Sequence, residues 1–493
     1  MTIAFRVDAS SIIGTGHVMR CLTLANALKK HQRKTLFLSR HMPDYLIDSI
    51  QQAGHVFVPL TDAVQATDSL AHAKWLGTSQ QADAQECLRY VSAVTLEWLI
   101  IDHYGLSSDW EVYMRAAAPQ ILAIDDLADR MHDCDILLDQ NAYPHAQTRY
   151  AEKLPAKCRP LLGAEYALLR EEFVCARDSL MRRVGSVQRI LVSFGGADSQ
   201  NWTAKVLNAL IELNVKAEID VVIGAQHPAF EDITQQCATY GFHCHVQSDR
   251  MAQLMAAADM AIGAGGVSVW ERASMGLPSL TIAVAENQIA SVEHAAQMGM
   301  IYTPKQDQTL QDAIQEFIEN PALRAQCSET SLRMVDAQGT KRVVDEMGLI
   351  TFRLANSEDE DALLEWRNHE SIRAASHNNG IIAPQEHHKW LENVLADENR
   401  VLLIGLVNEQ PIGVVRFDMQ EDSALVSLYT LPHVYGRGNA LLQTAELWIC
   451  THYPHINRLT ADALTDNAAA HRYLAKAGYH KDDNGYSKAV GGI

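Results

Sequence analysis

The sequence predicts an α/β protein of three units, on three observations. Residues 1–165 alternate short apolar strands with helical stretches. Residues 166–345 repeat that alternation, with glycine-rich turns directly behind two of the strands. From residue 351 the pattern changes to successive strands followed by one glycine-rich strand-to-helix turn. Strands separated by helices make a parallel sheet covered on both faces, whereas successive strands make an antiparallel or mixed one. A chain of 493 residues is too long for one core, and its 47% apolar content can fill several. The units are placed at 1–165, 166–345 and 351–493.

In the first unit the expected strands are 3–7, 35–38, 56–59, 98–101, 121–124 and 136–138. Ligands of parallel sheets sit outside the carboxyl ends of the strands. Three polar clusters fall there: Asp8 to His17, Asp102-His103-Tyr104, and Asp125-Asp126. The first begins with the small-residue turn Ala9-Ser10-Ser11 and continues as Gly14-Thr15-Gly16-His17-Val18-Met19-Arg20. It opens a helix whose apolar positions Val18, Cys21, Leu22, Ala25 and Leu28 are helically spaced. Such a turn lets backbone N–H groups approach an anion. The positive end of the helix dipole disfavours an imidazolium at His17, and a neutral imidazole beside an anion can act as a general base. A histidine near a helix cap is also an ordinary surface feature, so the motif alone does not decide.

In the second unit the expected strands are 189–194, 219–223, 260–262 and 280–283. The first runs into Gly195-Gly196-Ala197-Asp198 and a helix with Val206, Leu207, Leu210 and Leu213 on one face. The third ends in Gly263-Ala264-Gly265-Gly266, with a helix from about Ser268 that carries Glu271. Helix N–H groups near Gly196 and at 265–268 can hold a diphosphate, and a carboxylate one turn on can accept two ribose hydroxyls. The other reading of Glu271 is an acid complementing the helix dipole. Gly276-Leu277-Pro278 closes the segment, and Glu286-Asn287-Gln288 follows the fourth strand.

The third unit starts with a strand at 351–354 and a helix at 357–368. Strands 401–407 and 411–417 form a hairpin, and strand 424–431 leads into Tyr435-Gly436-Arg437-Gly438-Asn439-Ala440 and a helix at 441–450. The N–H groups of 436–440 can hold a pyrophosphate, with Arg437 adding charge. A last helix, 467–477, carries Asn467 and Tyr473 ahead of Gly478-Tyr479.

Charge and cysteine usage exclude several classes. The net charge is −19. Residues 351–493 hold 12 Lys/Arg against 19 Asp/Glu, a balance of −7, and residues 1–350 hold 29 against 41, a balance of −12. No unit has the basic surface of a nucleic-acid binder. Nine scattered cysteines without a C-x-x-C pair argue against a disulfide framework or a zinc site and fit a reducing cytoplasm. Arg6 and Asp8 interrupt the first apolar run, so no signal peptide is expected, and no apolar run is long enough for a membrane span.

The motifs at 14–22 and 263–272 together resemble the UDP-sugar hydrolases of pseudaminic acid biosynthesis. Ile124-Asp125-Asp126-Leu127 and Ser193-Phe194-Gly195-Gly196-Ala197-Asp198 resemble them too, so the likeness covers about residues 1–345. It implies a GT-B fold of two Rossmann-like domains facing a cleft. It places the family's catalytic histidine at His17 and its active-site tyrosine at Tyr104. Its UDP-binding positions fall at Gly14, Gly16, Gly195, Gly196, Gly265, Gly266, Ser268, Glu271 and Asn287. Its reaction is hydrolysis of UDP-2,4-diacetamido-2,4,6-trideoxy-β-L-altropyranose by water attack at C1. No Asp-x-Asp pair stands out near the phosphate site, so no metal is expected.

The Arg437-Gly438-x-Ala440 turn, with Asn467, Ala470, Tyr473 and Gly478-Tyr479, resembles the GNAT acetyltransferases over about 351–490. That likeness implies a mixed α/β domain using acetyl-CoA. Tyr473 would protonate the departing thiolate, Asn467 would contact the pantetheine, and Leu431, Gly436, Arg437, Gly438 and Ala440 would hold the rest. Phe352-Arg353-Leu354 and Trp366-Arg367-Asn368 also resemble the N-acetyltransferase of the same pathway, whose acceptor is the 4-amine of UDP-4-amino-4,6-dideoxy-N-acetyl-β-L-altrosamine. The general base stays open among Glu365, His369, His388 and water. The expected partners are UDP-activated amino sugars and acetyl-CoA, with other enzymes of the pathway and no nucleic acid or membrane. Alternatives are a GT-B glycosyltransferase, a hydrolase for a legionaminic-type sugar, a non-catalytic UDP-sugar-binding protein and, for the last unit, protein N-terminal acetylation.

Overall fold

The computed structural model describes residues 1–490 apart from 11, 62–68, 179, 181–184, 197, 226, 466 and 483–484. Ser11 and Ala197, named above, lie outside the described residues. The chain divides into two compact units, Thr2–Val344 and Asp345–Ile493, the latter including Met1. The unit Thr2–Val344 contains two separate parallel sheets, each at the centre of one lobe.

The first lobe holds β1 (Thr2–Val7), β2 (Lys34–Ser39), β3 (Val56–Pro59), β4 (Leu96–Asp102), β5 (Ile121–Ile124), β6 (Ile136–Asp139) and β7 (Arg159–Leu162). They form one parallel sheet in the order β3-β2-β1-β4-β5-β6-β7. The sequence did not predict β7, which contains Pro160. A strand at the sheet edge tolerates the missing N–H. The order reverses at β1 and β4, where Val7 stands in register with Asp102. This switch point is where an open parallel sheet presents its ligand crevice. Helix Gly16–Lys30 buries all five predicted apolar positions and ends in Lys29 and Lys30, which complement its dipole.

The second lobe holds β8 (Arg189–Ser193), β9 (Glu218–Ile223), β10 (His243–Val246), β11 (Met260–Ala264) and β12 (Ser279–Ile282), parallel in the order β10-β9-β8-β11-β12. Edge strand β10 has too few apolar residues to announce itself. The switch point lies between β8 and β11, with Ser193 opposite Gly263, so both glycine-rich turns leave the sheet side by side. A shared apolar cluster joins the lobes, with Ala142, Ala167 and Leu169 packed with Trp270, Ala273 and Val292. Helix Gly339–Met347 packs on the segment between β7 and β8, where Thr340 Oγ1 exchanges 3.0 Å hydrogen bonds with the backbone N–H and carbonyl of Leu169. Two parallel-sheet lobes facing a cleft are the GT-B fold.

The other unit holds β13 (Thr351–Leu354), β14 (Arg400–Val407), β15 (Gln410–Gln420), β16 (Ser423–Thr430), β17 (Arg458–Ala461), β18 (His480–Asp482) and β19 (Gly485–Ala489). Their order is β13-β14-β15-β16-β17-β19-β18, antiparallel except for the parallel pair β16–β17. That pair ends at Val426 opposite Ala461, while β16 runs on to Thr430. Past this point the two strands part. The sequence reading omitted β17, β18 and β19, whose short, mostly polar runs carry little periodicity. Among the described residues no helix is long and apolar enough to cross a membrane.

Candidate functional site

Between the lobes lies a cleft of about 910 Å³, within the usual range for small-molecule sites. His17, Tyr104, Gly14, Gly16, Gly195, Gly196, Gly265, Gly266, Ser268, Glu271 and Asn287 all line it. His17 is the second residue of helix Gly16–Lys30, whose N-cap Thr15 makes no side-chain cap bond. The first N–H groups of that helix are therefore open to an anionic ligand.

The sequence did not pair His17 with anything, but the fold does. His17 Nδ1 lies 2.6 Å from Asp102 Oδ1, across the β1/β4 switch point. Arg20 grips the same carboxylate with Nε to Oδ2 at 2.6 Å and Nη2 to Oδ1 at 2.7 Å. Burial raises the Asp102 pKa, but the Arg20 guanidinium and His17 outweigh it and hold the carboxyl well below its usual range. An ionised carboxylate only accepts, so Nδ1 carries the proton that it donates to Asp102, which leaves Nε2 as the nitrogen that faces away from the pair. Arg20 Nη2, 3.2 Å from Nδ1, then serves Asp102 rather than the ring. The signal for Asp102 was its place at the end of a strand next to β1.

Tyr104 is 4% exposed and donates its hydroxyl to Asp126 Oδ1. Burial, then Asp126, pushes its phenol well up, so it stays protonated. Asp126 Oδ2 accepts from Asn141 Nδ2 at 3.0 Å, and Asn141 Oδ1 accepts from Trp270 Nε1 at 3.1 Å. Trp270 belongs to the other lobe, next to Glu271. A buried polar path thus runs from Tyr104 to the helix that carries Glu271.

That helix, Val267–Ser274, starts on Gly266 at φ 80°, a conformation that suits glycine. A Cβ on Gly265 would come within 2.8 Å of Gln288 Oε1, so a side chain would crowd the turn. Glu271 lies beyond the first turn, which weakens the dipole reading, and it faces Arg170 Nη2 at 3.3 Å. Ser268 Oγ accepts from Arg272 Nη1 at 3.2 Å. Arg272, buried behind the turn, donates to the Ala264 carbonyl at 2.8 Å, and burial lowers its pKa to about 10. The expectation of a helix start near Gly196 is corrected. Helix Trp202–Glu212 begins later, and Asp198 caps it by accepting from Trp202 N and Thr203 N, both at 2.8 Å. Gly195 and Gly196 therefore face the cleft as turn backbone.

In the other unit a cavity of about 1060 Å³ lies where β16 and β17 part. Leu431, Gly436, Gly438, Asn467 and Tyr473 line it. Helix Gly438–His452 opens there without a side-chain cap, so its first N–H groups are open to an anionic ligand. Arg437 and Ala440 are not among the lining residues. Arg437 Nη1 instead donates to the Gly348 carbonyl at 3.3 Å, and Ala440 packs on the core. Asn467 caps helix Ala468–Lys476, its Oδ1 accepting from Ala470 N at 3.0 Å, and still faces the cavity. Burial pushes the Tyr473 phenol up, which keeps its proton on. Of the base candidates only His369 lines the cavity. His388 is exposed and lies 2.9 Å from Glu360 Oε2, and Glu365 is exposed. His387, which the sequence reading passed over, is buried in the cavity wall.

Residues 189–344 match the glycosyltransferase family 28 C-terminal domain, and residues 350–480 match the acetyltransferase (GNAT) domain. The chain is 28% identical over 258 residues to a UDP-2,4-diacetamido-2,4,6-trideoxy-beta-L-altropyranose hydrolase of Campylobacter jejuni, covering 52% of this chain and 81% of the relative. It is 22% identical over 423 residues to an uncharacterized protein of Methanocaldococcus jannaschii, covering 83% and 81%. It is 23% identical over 360 residues to the spore coat polysaccharide biosynthesis protein SpsG of Bacillus subtilis, covering 70% and 96%. The chain thus joins a region that matches the glycosyltransferase family 28 C-terminal domain to one that matches the acetyltransferase (GNAT) domain.

Proposed function

We propose that the chain performs two consecutive steps on one sugar nucleotide. The GNAT domain acetylates the 4-amine of UDP-4-amino-4,6-dideoxy-N-acetyl-β-L-altrosamine with acetyl-CoA. The two-lobed unit then hydrolyses UDP-2,4-diacetamido-2,4,6-trideoxy-β-L-altropyranose to UDP and the free sugar. The observation that carries the reading is the His17–Asp102 pair facing the Gly265–Glu271 segment across one cleft.

In the hydrolysis, His17 Nε2 takes a proton from water as its oxygen bonds to C1. The C1–O bond breaks and its electron pair leaves with UDP, a good leaving group that needs little acid help. Backbone N–H groups at 16–18 and 266–268 stabilise the growing charge on the diphosphate. Glu271 receives the ribose hydroxyls. In the acetyl transfer, the amine attacks the thioester carbonyl, the C–S bond breaks and Tyr473 protonates the thiolate. The amine's surplus proton leaves to a base that the cavity's histidines or water supply. Both activities belong in the cytoplasm, where the nine free thiols stay reduced.

The family-28 match favours a second reading, glycosyl transfer to an acceptor other than water. Mass spectrometry of products from the UDP-linked amine, with and without acetyl-CoA, separates them. The proposal expects acetylated nucleotide sugar, UDP and free diacetamido sugar with no acceptor added. A transferase would leave the acetylated nucleotide sugar intact.

A further inference from the structure

Two rings in the cleft, those of His72 and Trp75, have no role in the steps above. His72 is the N-cap of the short helix Ala73–Leu76, and Trp75 lies on that helix. Their ring centroids are 4.5 Å apart, and each is 5.5 Å from Tyr104. The Trp75 and Tyr104 planes differ by 30°. His17 stands edge-on to Tyr104 at 4.8 Å. All four rings line the cleft, with Trp75 and His72 only half-buried. The Tyr104 hydroxyl is committed to Asp126, so what Tyr104 adds to the wall is its ring.

We infer that His72 and Trp75 form the wall that receives the glycosyl group, selecting pyranoses rimmed with methyl and acyl groups over fully hydroxylated ones. The inference rests on the nucleotide-sugar reading of the cleft and assigns the residues that recognise its sugar. Aromatic faces gain by packing against C–H-rich surface, such as a C6 methyl or an acetamido methyl. A hydroxyl pressed on the same face gives up water without gaining a partner. The other flat candidate for the rings is the nucleobase. The glycine turn and Glu271, which suit the nucleotide, belong to the second lobe, whereas both rings pack on Tyr104, which itself stands against His17, where C1 must lie.

The test measures binding by calorimetry on the full chain carrying His17→Asn, which blocks turnover. The probes are UDP, UDP-glucose and a UDP-linked 6-deoxy diacetamido hexose. The deoxy probe should bind more tightly than UDP-glucose. Adding Trp75→Ala should weaken the deoxy probe by about 10-fold while leaving UDP within about twofold. Trp75→Phe should stay within about threefold, and His72→Ala should shift the deoxy probe in the same direction as Trp75→Ala. Equal weakening of UDP and the deoxy probe would overturn the inference, because the rings would then hold the base or merely support the fold. An unchanged deoxy probe would overturn it as well. If no glycosyl group adds affinity over UDP in the His17→Asn chain, the nucleotide-sugar reading falls too, a result distinct from either.

Discussion

His17 and Asp102 come from segments 85 residues apart, and the parallel register of β1 and β4 brings them to 2.6 Å. The pair assigns separate work to the two ring nitrogens, which sets the residue-level expectations. His17→Asn should slow UDP release by about 10²–10⁴-fold with UDP affinity unchanged. Asp102→Asn should slow it by about 10²-fold or more, because an amide can donate to Nδ1 and reverse the tautomer. Single-turnover rates alongside UDP titration check both, and turnover within threefold of the parent would remove either residue from the mechanism. A second residue-level expectation concerns His132, whose Nδ1 meets Glu111 Oε1 at 2.7 Å and whose Nε2 lies 3.9 Å from Asp125. Burial opposes its charge, but Glu111 and Asp125 outweigh burial and push its pKa up to about 9. A raised histidine pKa gives stability that is complete below the unfolded value of about 6.5. That stability is lost as pH rises through the folded value. The two-lobed unit should therefore lose about 3 kcal/mol between those limits. His132→Gln should flatten that slope in thermal unfolding followed against pH. An equally steep slope in the variant would assign it to another group.

At the scale of elements, helix Val267–Ser274 does two things at once. Its cleft-facing end carries Glu271, and its buried side sends Trp270 to Asn141 in the other lobe. Glu271→Ala should weaken UDP binding by about 1.5–3 kcal/mol, the scale of a hydrogen bond to a charged group. Trp270→Phe keeps the ring and removes only the N–H. It should lower kcat for UDP release while leaving UDP affinity intact, since the bond it breaks supports Asp126 and Tyr104 rather than the nucleotide. Calorimetry with steady-state kinetics separates the two, and a loss of UDP affinity in Trp270→Phe would contradict this division of labour. The same helix shows what a sequence carries. Gly265, Gly266 and Glu271 were legible because a turn and a helix start are local, fixed by neighbours in the chain. Asp102 was visible only as one of three clusters, since its partner is set by strand order. Asn141, Trp75 and His72 gave no signal, because their roles come from contacts between segments with no shared period. Edge strands β7 and β10 were missed for a related reason. With one neighbour each, they need little apolar patterning to form.

At the scale of the molecule, the two units carry separate cores and separate cavities. The division between the compact units falls at Val344–Asp345, inside helix Gly339–Met347, and the Asp345 carbonyl accepts from Asn408 Nδ2 at 3.0 Å. Overlapping pieces 1–348 and 345–493, each keeping that helix end, should be soluble and act alone. The second should acetylate the amino-sugar nucleotide, and Tyr473→Phe should slow it without weakening acetyl-CoA binding. The first should release UDP from the acetylated nucleotide with no acetyl-CoA present. Loss of either activity on separation, with both pieces folded, would mean that each unit needs the other.

The most direct measurement of the central claim is the position of the oxygen supplied by water. The two-lobed unit is given the acetylated UDP-sugar in ¹⁸O-water, and both products are weighed. Attack at C1 by water that His17 activates places the label on the free sugar and leaves UDP unlabelled. Label in UDP would mean attack at phosphorus, which would contradict the role assigned to the His17–Asp102 pair.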